Sequence, residues 1–125
     1  FVARFIGAPQ MNVVTLPVQD GGIVFGAQRI GLPDAAARLP SVALGQRPEH
    51  LRLVLDSDQP GLPGTIEHVE NLGHEQVLTV STALGPLVLR DGRSGQPPRL
   101  GQSVQLTLDP AQLHLFDPAS EARLN

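Results

Sequence analysis

"SVQLTLD", residues 103–109, alternates polar and apolar side chains along its length. Val104, Leu106 and Leu108 form the apolar set. Successive side chains of a β-strand point to opposite faces of a sheet, so a period of two is typical of a strand with one face in the core. The segment therefore predicts a half-buried strand with these three residues inside.

Several other segments repeat this pattern or are short apolar runs between turn residues. They are "VVTLPV" (13–18), "IVFGAQRI" (23–30), "SVALGQ" (41–46), "LRLVL" (51–55), "QVLTVST" (76–82), "PLVLR" (86–90) and "LHLF" (113–116). The Asp-Gly-Gly of "QDGG" (19–22) favours a tight hairpin turn, and Pro17 predicts that the first strand lies at a sheet edge. Seven or eight short strands with turns between them predict an all-β fold, a small β-barrel or sandwich.

Glycine and proline limit the helical content of the chain. Thirteen Gly and 12 Pro residues among 125 interrupt any long helix. One or two helical turns are expected in "PDAAARL" (33–39), and a last helical turn in "FVARFI" (1–6). Segments 31–41, 56–64 and 91–101 are expected to be loops, because turn-forming residues cluster in them.

Composition argues against several classes of protein. The chain has no Cys, which excludes disulfides and thiolate metal sites. Its net charge is −3 and it has neither Tyr nor Trp, so the basic groove with stacking aromatics that binds nucleic acid is not expected. No apolar run approaches the ~20 residues of a membrane helix. Phe1 in place of an initiator Met indicates a piece of a longer protein.

One stretch, "DSDQPGLPGTIE" (56–67), nearly matches the calcium loop of an EF-hand. Asp56, Asp58 and Glu67 fall at ligand positions of that loop. Pro60 offers no side-chain oxygen at the fifth position, and the flanking segments are strand-like instead of helical. A solvated turn is therefore the expected structure, and no metal site is predicted.

Other chemical motifs are equally weak. The spacing of the four histidines places no two of them on one helical face as metal ligands. No serine lies in a nucleophile elbow, and a chain without Lys cannot form the phosphate loop of a nucleotide hydrolase. Glu67, Glu70 and Glu75 lie close together in sequence but are expected to be solvated. No catalytic residue is predicted.

The polar run in "LGQRPEHLRL" (44–53) has two readings. Pro48 lacks a backbone N–H and disfavours helical geometry at Arg47, so the run predicts a corner between two strands. Glu49 and His50 would then serve the turn. Loops also carry function more often than the elements they join, so a contact surface for a partner protein or a second subunit is the alternative.

Four islands of the sequence, in this order, resemble the ATPase subunits of ABC importers for sugars. They are "FVARFIGAPQMN" (1–12), "LGQRPEHLRL" (44–53), "VENLGHEQVLTV" (69–80) and "LDPAQLHLFDPASEARL" (108–124). The chain departs from the family pattern at Gln46, where an aliphatic residue is usual, at His74, where Ser is commoner, and at Ser120 and Glu121, which replace a Thr-Gly pair. The subfamily that imports glycerol-3-phosphate, maltose and related sugars is the most similar.

This resemblance implies a C-terminal regulatory domain with an OB-like or MOP-like barrel, the transport-associated (TOBE) type. Residues 1–10 would be the end of a linker from a missing nucleotide-binding domain, and 11–125 the regulatory domain. The ATP and Mg sites and the ATPase activity would belong to the missing domain, leaving no catalytic, cofactor or metal residue here.

The resemblance also implies partners. The domain would pair with a second copy of itself, while the parent subunit would meet membrane permease subunits at the inner, cytoplasmic face of a bacterial membrane. A regulatory protein is a further expected partner. The expected interface or regulatory contacts are Arg47, Glu49, His50, His114 and Phe116.

An alternative comes from a different class of protein. Domains of the molybdate-pterin-binding type hold small molecules or oxyanions in similar barrels, and Arg47, Arg90, Arg93 and Arg99 would supply the charge for such a site. An independent enzyme on the barrel is a third reading, since fold alone does not exclude it.

Overall fold

The computed structural model describes residues 11–54, 60–92 and 98–125, and these residues fold as ten strands with three short helical turns. The strands are β1 Asn12–Pro17, β2 Gly22–Phe25, β3 Gln28–Gly31, β4 Ser41–Gln46, β5 Arg52–Val54, β6 Leu62–Asn71, β7 Gln76–Thr82, β8 Gly85–Asp91, β9 Ser103–Thr107 and β10 His114–Phe116. The helical turns are α1 Asp34–Ala37 and two 3₁₀ turns, Pro48–His50 and Pro110–Gln112. The predicted all-β class is confirmed, whereas the predicted number of strands was too small.

Two antiparallel sheets and a hairpin make up the fold. The larger sheet has the order β5-β9-β6-β7-β8, and the smaller has the order β1-β4-β10. The outer strands of the larger sheet, β5 and β8, approach each other, so that sheet curls into a half-barrel. Strand β1 lies at an edge of the smaller sheet, as Pro17 predicted.

The period-two segments line the core as their patterns predicted. Val104 and Leu106 of β9 and Leu78 and Val80 of β7 are at most 4% exposed. Leu106 lies opposite Leu53 of β5 on one side and Leu62 of β6 on the other. One continuous core joins these side chains to Leu16, Leu44 and Leu115 of the smaller sheet. The two sheets therefore share one apolar interior.

A second, smaller cluster covers the other face of the three-stranded sheet. Met11, Val13, Ala43 and Phe116 are all buried there. Gly45 of β4 lies beneath them, and a Cβ at this position would overlap the Met11 sulfur and approach Phe116 Cε2 to 3.0 Å. A larger residue at position 45 would therefore have to displace the Met11 side chain from this cluster.

The predicted turn at 19–22 forms, but the strands beside it do not pair as one hairpin. Asp20 and Gly21 have φ values of 52° and 73°, the combination of a type I′ turn. The ladder stops after the single bridge between Gln19 and Gly22. Strand β1 pairs with β4 instead, and "IVFGAQRI" folds on itself as the β2–β3 hairpin. Treating this segment as one strand was wrong.

Strand β6, the longest, corrects the predicted loop at 56–64. Residues 62–64 belong to the strand, and it continues through Asn71. Pro63 is tolerated because it lies opposite Gln105 of β9, one residue before the pairing with β7 begins at Gly64. The predicted helical turn behind Pro33 is confirmed as α1, whereas the one at 1–6 lies outside the described residues.

Amide side chains connect segments that backbone pairing leaves apart. Asn12 Nδ2 donates to the Val88 carbonyl at 2.6 Å, and Asn12 Oδ1 accepts from the Val88 N–H at 3.0 Å. Gln28 makes the same pair of bonds to Leu108, both at 2.8 Å. Each amide side chain bonds to both the N–H and the carbonyl of one residue, as a residue of a paired strand would. These bonds therefore join β1 to β8 and the β2–β3 hairpin to the end of β9.

Candidate functional site

The polar run 47–50 forms the corner that its proline predicted. Strand β4 ends at Gln46, the 3₁₀ turn Pro48–His50 follows, and β5 begins at Arg52. Arg47 is extended, with ψ at 143°, as a residue before proline should be. The His50 N–H closes the turn on the Arg47 carbonyl at 2.9 Å.

Gln46 holds this turn against the strand. Its side chain is only 3% exposed, and its Nε2 donates to the His50 carbonyl at 3.1 Å. A buried amide needs such a bond because its desolvation is otherwise uncompensated. The departure from the aliphatic residue usual at this position therefore has a structural role, which sequence reasoning missed.

Strand β10 brings His114 to the corner. It runs antiparallel to β4, with His114 opposite Gly45, two residues before Arg47. Burial lowers the pKa of His114, and the positive charges of Arg123, Arg47 and His50 lower it further. Each of these three side chains therefore lies within electrostatic reach of His114. We call Arg47, His50, His114 and Arg123 the cationic corner.

Arg123 reaches the corner because the C-terminal segment returns along β10. A single bridge pairs Arg123 with Phe116. Asn125 then fixes the end of the segment, since its Oδ1 accepts from the Leu115 N–H at 2.9 Å and its Nδ2 donates to the Leu113 carbonyl at 2.8 Å. Sequence reasoning did not include Arg123 among the contact residues, although Arg123 lies in the fourth family-like island, 108–124.

The other two predicted contact residues lie at the margins. Glu49 is exposed on the 3₁₀ turn. The pKa of Arg90 is raised chiefly by its hydrogen bond to Glu75, and the charge of Glu49 adds a smaller contribution. Phe116 is 5% exposed, so it supports β10 from below and presents little surface of its own.

One nitrogen of the cationic corner lacks a hydrogen-bond partner among the described residues. It is the buried Nδ1 atom of His50, for which residues 11–54, 60–92 and 98–125 supply no partner. The ion pairs that Glu75 makes with His74 and Arg90 involve none of these four side chains. Arg123 Nε makes only a 3.5 Å contact with Asn125 Oδ1. Buried polar atoms are normally paired, so the Nδ1 atom of His50 is an exception within the described part of the chain.

The arginines named by the alternative oxyanion prediction differ in their surroundings. Arg90 donates a hydrogen bond to Glu75, and this bond is the main cause of the lowered pKa of Glu75. Arg99 is exposed in the turn before β9, and Arg93 lies outside the described residues.

An open groove of about 390 Å³ lies where β6, β7 and β9 meet. Its polar lining includes the hydroxyls of Thr65, Ser81, Thr82 and Ser103, and its lining contains no acid, base or arginine. Such a surface can form hydrogen bonds but supplies no group for proton transfer near neutral pH.

The described residues contain no group of three or more His, Asp or Glu side chains placed to hold a metal ion. Most of the EF-hand-like ligand set, Asp56 and Asp58, lies outside them. Gly61 is explained by packing, since a Cβ there would meet the Leu106 carbonyl at 2.6 Å. Nor does any described helix have the length and hydropathy needed to cross a bilayer.

Comparison with known proteins identifies the family. A family model described as "TOBE domain" matches residues 44–116, from the end of β4 through β10. The chain belongs to the TOBE-domain family. The match includes Arg47, His50 and His114, so most of the cationic corner lies inside the family region.

Full-length relatives of this TOBE domain are ATP-binding proteins of importers. It is 38% identical to the sn-glycerol-3-phosphate import ATP-binding protein UgpC of Paracoccus denitrificans, over 99% of this chain and 35% of that protein. It is 30% identical to the diacetylchitobiose uptake system ATP-binding protein MsiK of Streptomyces coelicolor, over 99% of this chain and 39% of that protein. The chain thus spans about a third of the length of these curated relatives.

A solved structure shares the fold. The cytoplasmic molybdate-binding protein ModG superposes on the TOBE domain with a TM-score of 0.63, covering 86% of this chain and 96% of that one. The sequence identity is 18%, so the likeness shows the fold alone. It confirms the predicted OB-like barrel.

Proposed function

We propose that this TOBE domain is the C-terminal regulatory domain of the ATP-binding subunit of an ABC importer. The observation that carries the proposal is the similarity over 99% of the chain to UgpC and to MsiK, both ATP-binding proteins of uptake systems. The substrate we propose is sn-glycerol-3-phosphate or a related sugar, because several UgpC proteins are among the relatives.

The domain itself would be non-catalytic. Its hydroxyl-lined groove offers no acid–base pair, and the described histidines and carboxylates supply no set of metal ligands. ATP and Mg would bind to a nucleotide-binding domain elsewhere in the parent protein, and hydrolysis would take place there. Residues 1–10 would then end the linker, and 11–125 would be the regulatory domain.

The role we propose is to hold two ATPase subunits together by pairing with a second copy. When nucleotide leaves, the two nucleotide-binding domains would separate while the tails stay in contact. Tethering of this kind gives the domains an effective concentration in the ~mM range. The parent subunits would assemble with membrane permease subunits on the cytoplasmic face of the membrane.

Sedimentation of the parent subunit tests the pairing. The intact subunit should remain dimeric without ATP, while a version ending before residue 11 should become monomeric without ATP and dimerise when a non-hydrolysable analogue is added. If the shortened version is equally dimeric without nucleotide, the tail does not carry the pairing.

The substrate needs a separate test. Cells that lack the parent subunit should lose uptake of labelled glycerol-3-phosphate and regain it with the intact gene. Unchanged glycerol-3-phosphate uptake, with loss of uptake of a disaccharide, would contradict the proposed substrate and leave the regulatory role in place.

A further inference from the structure

Strand β6 is paired on both sides over its first half and on one side over its second half. Residues 62–65 lie between β9 and β7, whereas residues 68–71, beyond a bulge, pair among the described strands with β7 alone. Every side chain of 67–71 is exposed except that of Val69, which is half-buried. We call the side of 67–71 that faces away from β7 the β6 edge.

The hydrogen-bond pattern shows which backbone groups point at the β6 edge. The Leu72 N–H donates to the Glu75 carbonyl at 2.8 Å, which makes these two residues a hydrogen-bonded pair. Hydrogen-bonded and non-hydrogen-bonded pairs alternate along an antiparallel ladder. Counting back along the β6–β7 register, Val69 and Asn71 belong to non-hydrogen-bonded pairs. Their N–H and carbonyl groups therefore point away from β7, at the β6 edge.

An exposed apolar side chain lies at each end of the β6 edge. At one end, the Ile66 N–H donates to the Gln102 carbonyl at 3.0 Å and the Ile66 carbonyl accepts from the Gly101 N–H at 2.7 Å. Leu100, in the same turn, is 69% exposed, and Leu72 at the other end is 45% exposed. These two are among the three large apolar side chains that the described residues expose.

Other outer strands have backbone groups that amide side chains already occupy. Asn12 bonds to both backbone groups of Val88 on β8, and Asn125 bonds to the Leu115 N–H on β10. No described side chain makes such a bond to the backbone of Val69. Sheet edges that lack a cover are available to another strand.

We propose that the β6 edges of two copies of this chain pair with each other, antiparallel and centred on Val69. This deepens the proposed pairing of the tails, on which it rests, by assigning the surface. In this register the two Val69 residues exchange both of their N–H···O bonds. His68 of each copy then lies opposite Glu70 of the other in a non-hydrogen-bonded pair, where side chains are closest. Opposite charges at such positions stabilise an antiparallel pair.

Charge selects this register over its nearest alternative. A pairing centred on Glu70 would also join outward-pointing backbone groups, those of Val69 to those of Asn71. It would place two Glu70 side chains directly opposite each other, which is destabilising. The sequence Glu-His-Val-Glu-Asn of 67–71 is thus complementary to itself about Val69.

The ends of the two edges fit the same register. Position 72 of one copy falls opposite Ile66 of the other, beside the turn that bonds to Ile66. Leu72 would therefore contact the turn that carries Leu100 of the second copy, and both apolar side chains would lose contact with water.

The contact is short, so its affinity alone is low. Edges of this length bury less than the roughly 1,200 Å² of a stable interface. Tethering in the parent protein would supply an effective concentration in the ~mM range, at which a weak contact is still formed.

Disulfide cross-linking tests the register, because the chain has no Cys of its own. One preparation carries His68→Cys and a second carries Glu70→Cys. Mixed at ~1 mM, the concentration that tethering supplies, they should form a disulfide-linked heterodimer, because the paired Cα atoms lie about 4.5 Å apart. Each preparation alone should cross-link far more slowly, since its own thiols are diagonal neighbours about 7–8 Å apart.

Charge reversal tests the pairing of His68 with Glu70. At about pH 6, where an ordinary imidazole is mostly protonated, His68→Glu should weaken self-association about tenfold, because two such pairs are lost in each dimer. Adding Glu70→His to that variant exchanges the charges and should restore association. The control Arg38→Glu makes the same change of charge at an exposed site outside the edge and should alter association less than about twofold. Sedimentation measures all four chains.

Amide hydrogen exchange tests whether the β6 edge is open in one copy. The N–H groups of Val69 and Asn71 should exchange quickly in dilute, monomeric chain and slowly at ~1 mM, where the edges pair. The Glu70 N–H, which bonds to β7, should be protected in both and serves as the internal control.

Four results would overturn the inference. They are a monomeric chain at ~1 mM, faster cross-linking of Glu70→Cys alone than of the mixture, and association that His68→Glu leaves unchanged. The fourth is slow exchange of Val69 and Asn71 in the dilute monomer, which would show that the edge is already occupied within one chain. Dimerisation of the intact parent subunit without ATP could still be observed in each case, so this inference and the proposed pairing of the tails fail separately.

Discussion

The interior of the five-stranded sheet and the cationic corner are built on the same kind of antiparallel pairing but treat their side chains differently. In the interior, Leu106 faces Leu53 and Leu62 across both neighbouring strands, and apolar side chains fill the space. At the corner, the β4–β10 pairing places a half-buried imidazole, His114, where the positive charges of Arg47, His50 and Arg123 lower its pKa. The comparison indicates that apolar packing determines the stability of the interior, whereas the contribution of the corner depends on pH through His114.

The largest expected effect is in the interior. Leu106→Ala should lower the free energy of unfolding by about 2–5 kcal/mol, because it removes buried methyl groups and leaves a cavity. Chemical denaturation of the variant measures this. Gln105→Ala, on the outward side of the same strand, should change stability by less than ~0.5 kcal/mol. Similar losses in the two variants would mean that β9 does not sort its faces as described.

The junction between the sheets should show the next largest effect. Asn12→Ala removes both bonds to Val88 and should cost about 1–3 kcal/mol, because two backbone groups lose their partner. Thermal unfolding measures the loss. The matched control is Asn71→Ala, since that side chain only accepts the Gly73 N–H in an exposed turn. A loss at Asn12 no larger than that at Asn71 would show that the two bonds to Val88 contribute little to joining the sheets.

The stability of the chain should depend on pH through His114 at the corner. The pKa of His114 is lower in the folded chain than in the unfolded chain, so the unfolded chain binds the proton more readily. Stability should therefore fall as the pH drops through the unfolded value of about 6.5 and level off below the folded value. Denaturation between about pH 8 and 5 measures the slope, which His114→Gln should reduce. His74→Gln, at an 83% exposed side chain, should leave it unchanged.

The smallest effect is expected at the exposed pair of Glu75 and Arg90. The hydrogen bond from Arg90 lowers the pKa of Glu75, so the contribution of the pair is present near neutral pH and is lost as the pH falls through that lowered value. Because both groups are reached by solvent, Glu75→Gln should shift the Tm less than Leu106→Ala or Asn12→Ala. A shift as large as that of Asn12→Ala would reverse the order proposed here.

The sequence predicts most strands because their side chains report burial directly. Val104, Leu106, Leu78 and Val80 alternate in the chain and lie inside in the structure. Strand β6 was missed because Pro63 and its glycine neighbours are typical turn residues, and only the partner strands show that the missing N–H is not needed there. Which strands pair was equally hidden, since β1 finds β4 across an intervening hairpin.

At the corner, too, the sequence predicts the local turn but not which residues come together. The polar residues of 47–50 predict a turn, and the resemblance singles out Arg47, His50 and His114. Their proximity depends on the β4–β10 register, which local sequence does not encode. Arg123 was missed for the same reason, because only the returning C-terminal segment brings it alongside Phe116. Whether a partner binds these residues stays a prediction.

The amides of Asn12 and Asn125 also affect how the molecule can meet its neighbours. Both occupy backbone groups of outermost strands, at Val88 on β8 and at Leu115 on β10. A neighbouring polypeptide cannot extend the ladder at a residue whose N–H or carbonyl is already taken, which is also how natural proteins resist fibril growth. Any self-assembly at these two points must therefore proceed through side chains, and a variant that frees Val88 should aggregate more readily on storage.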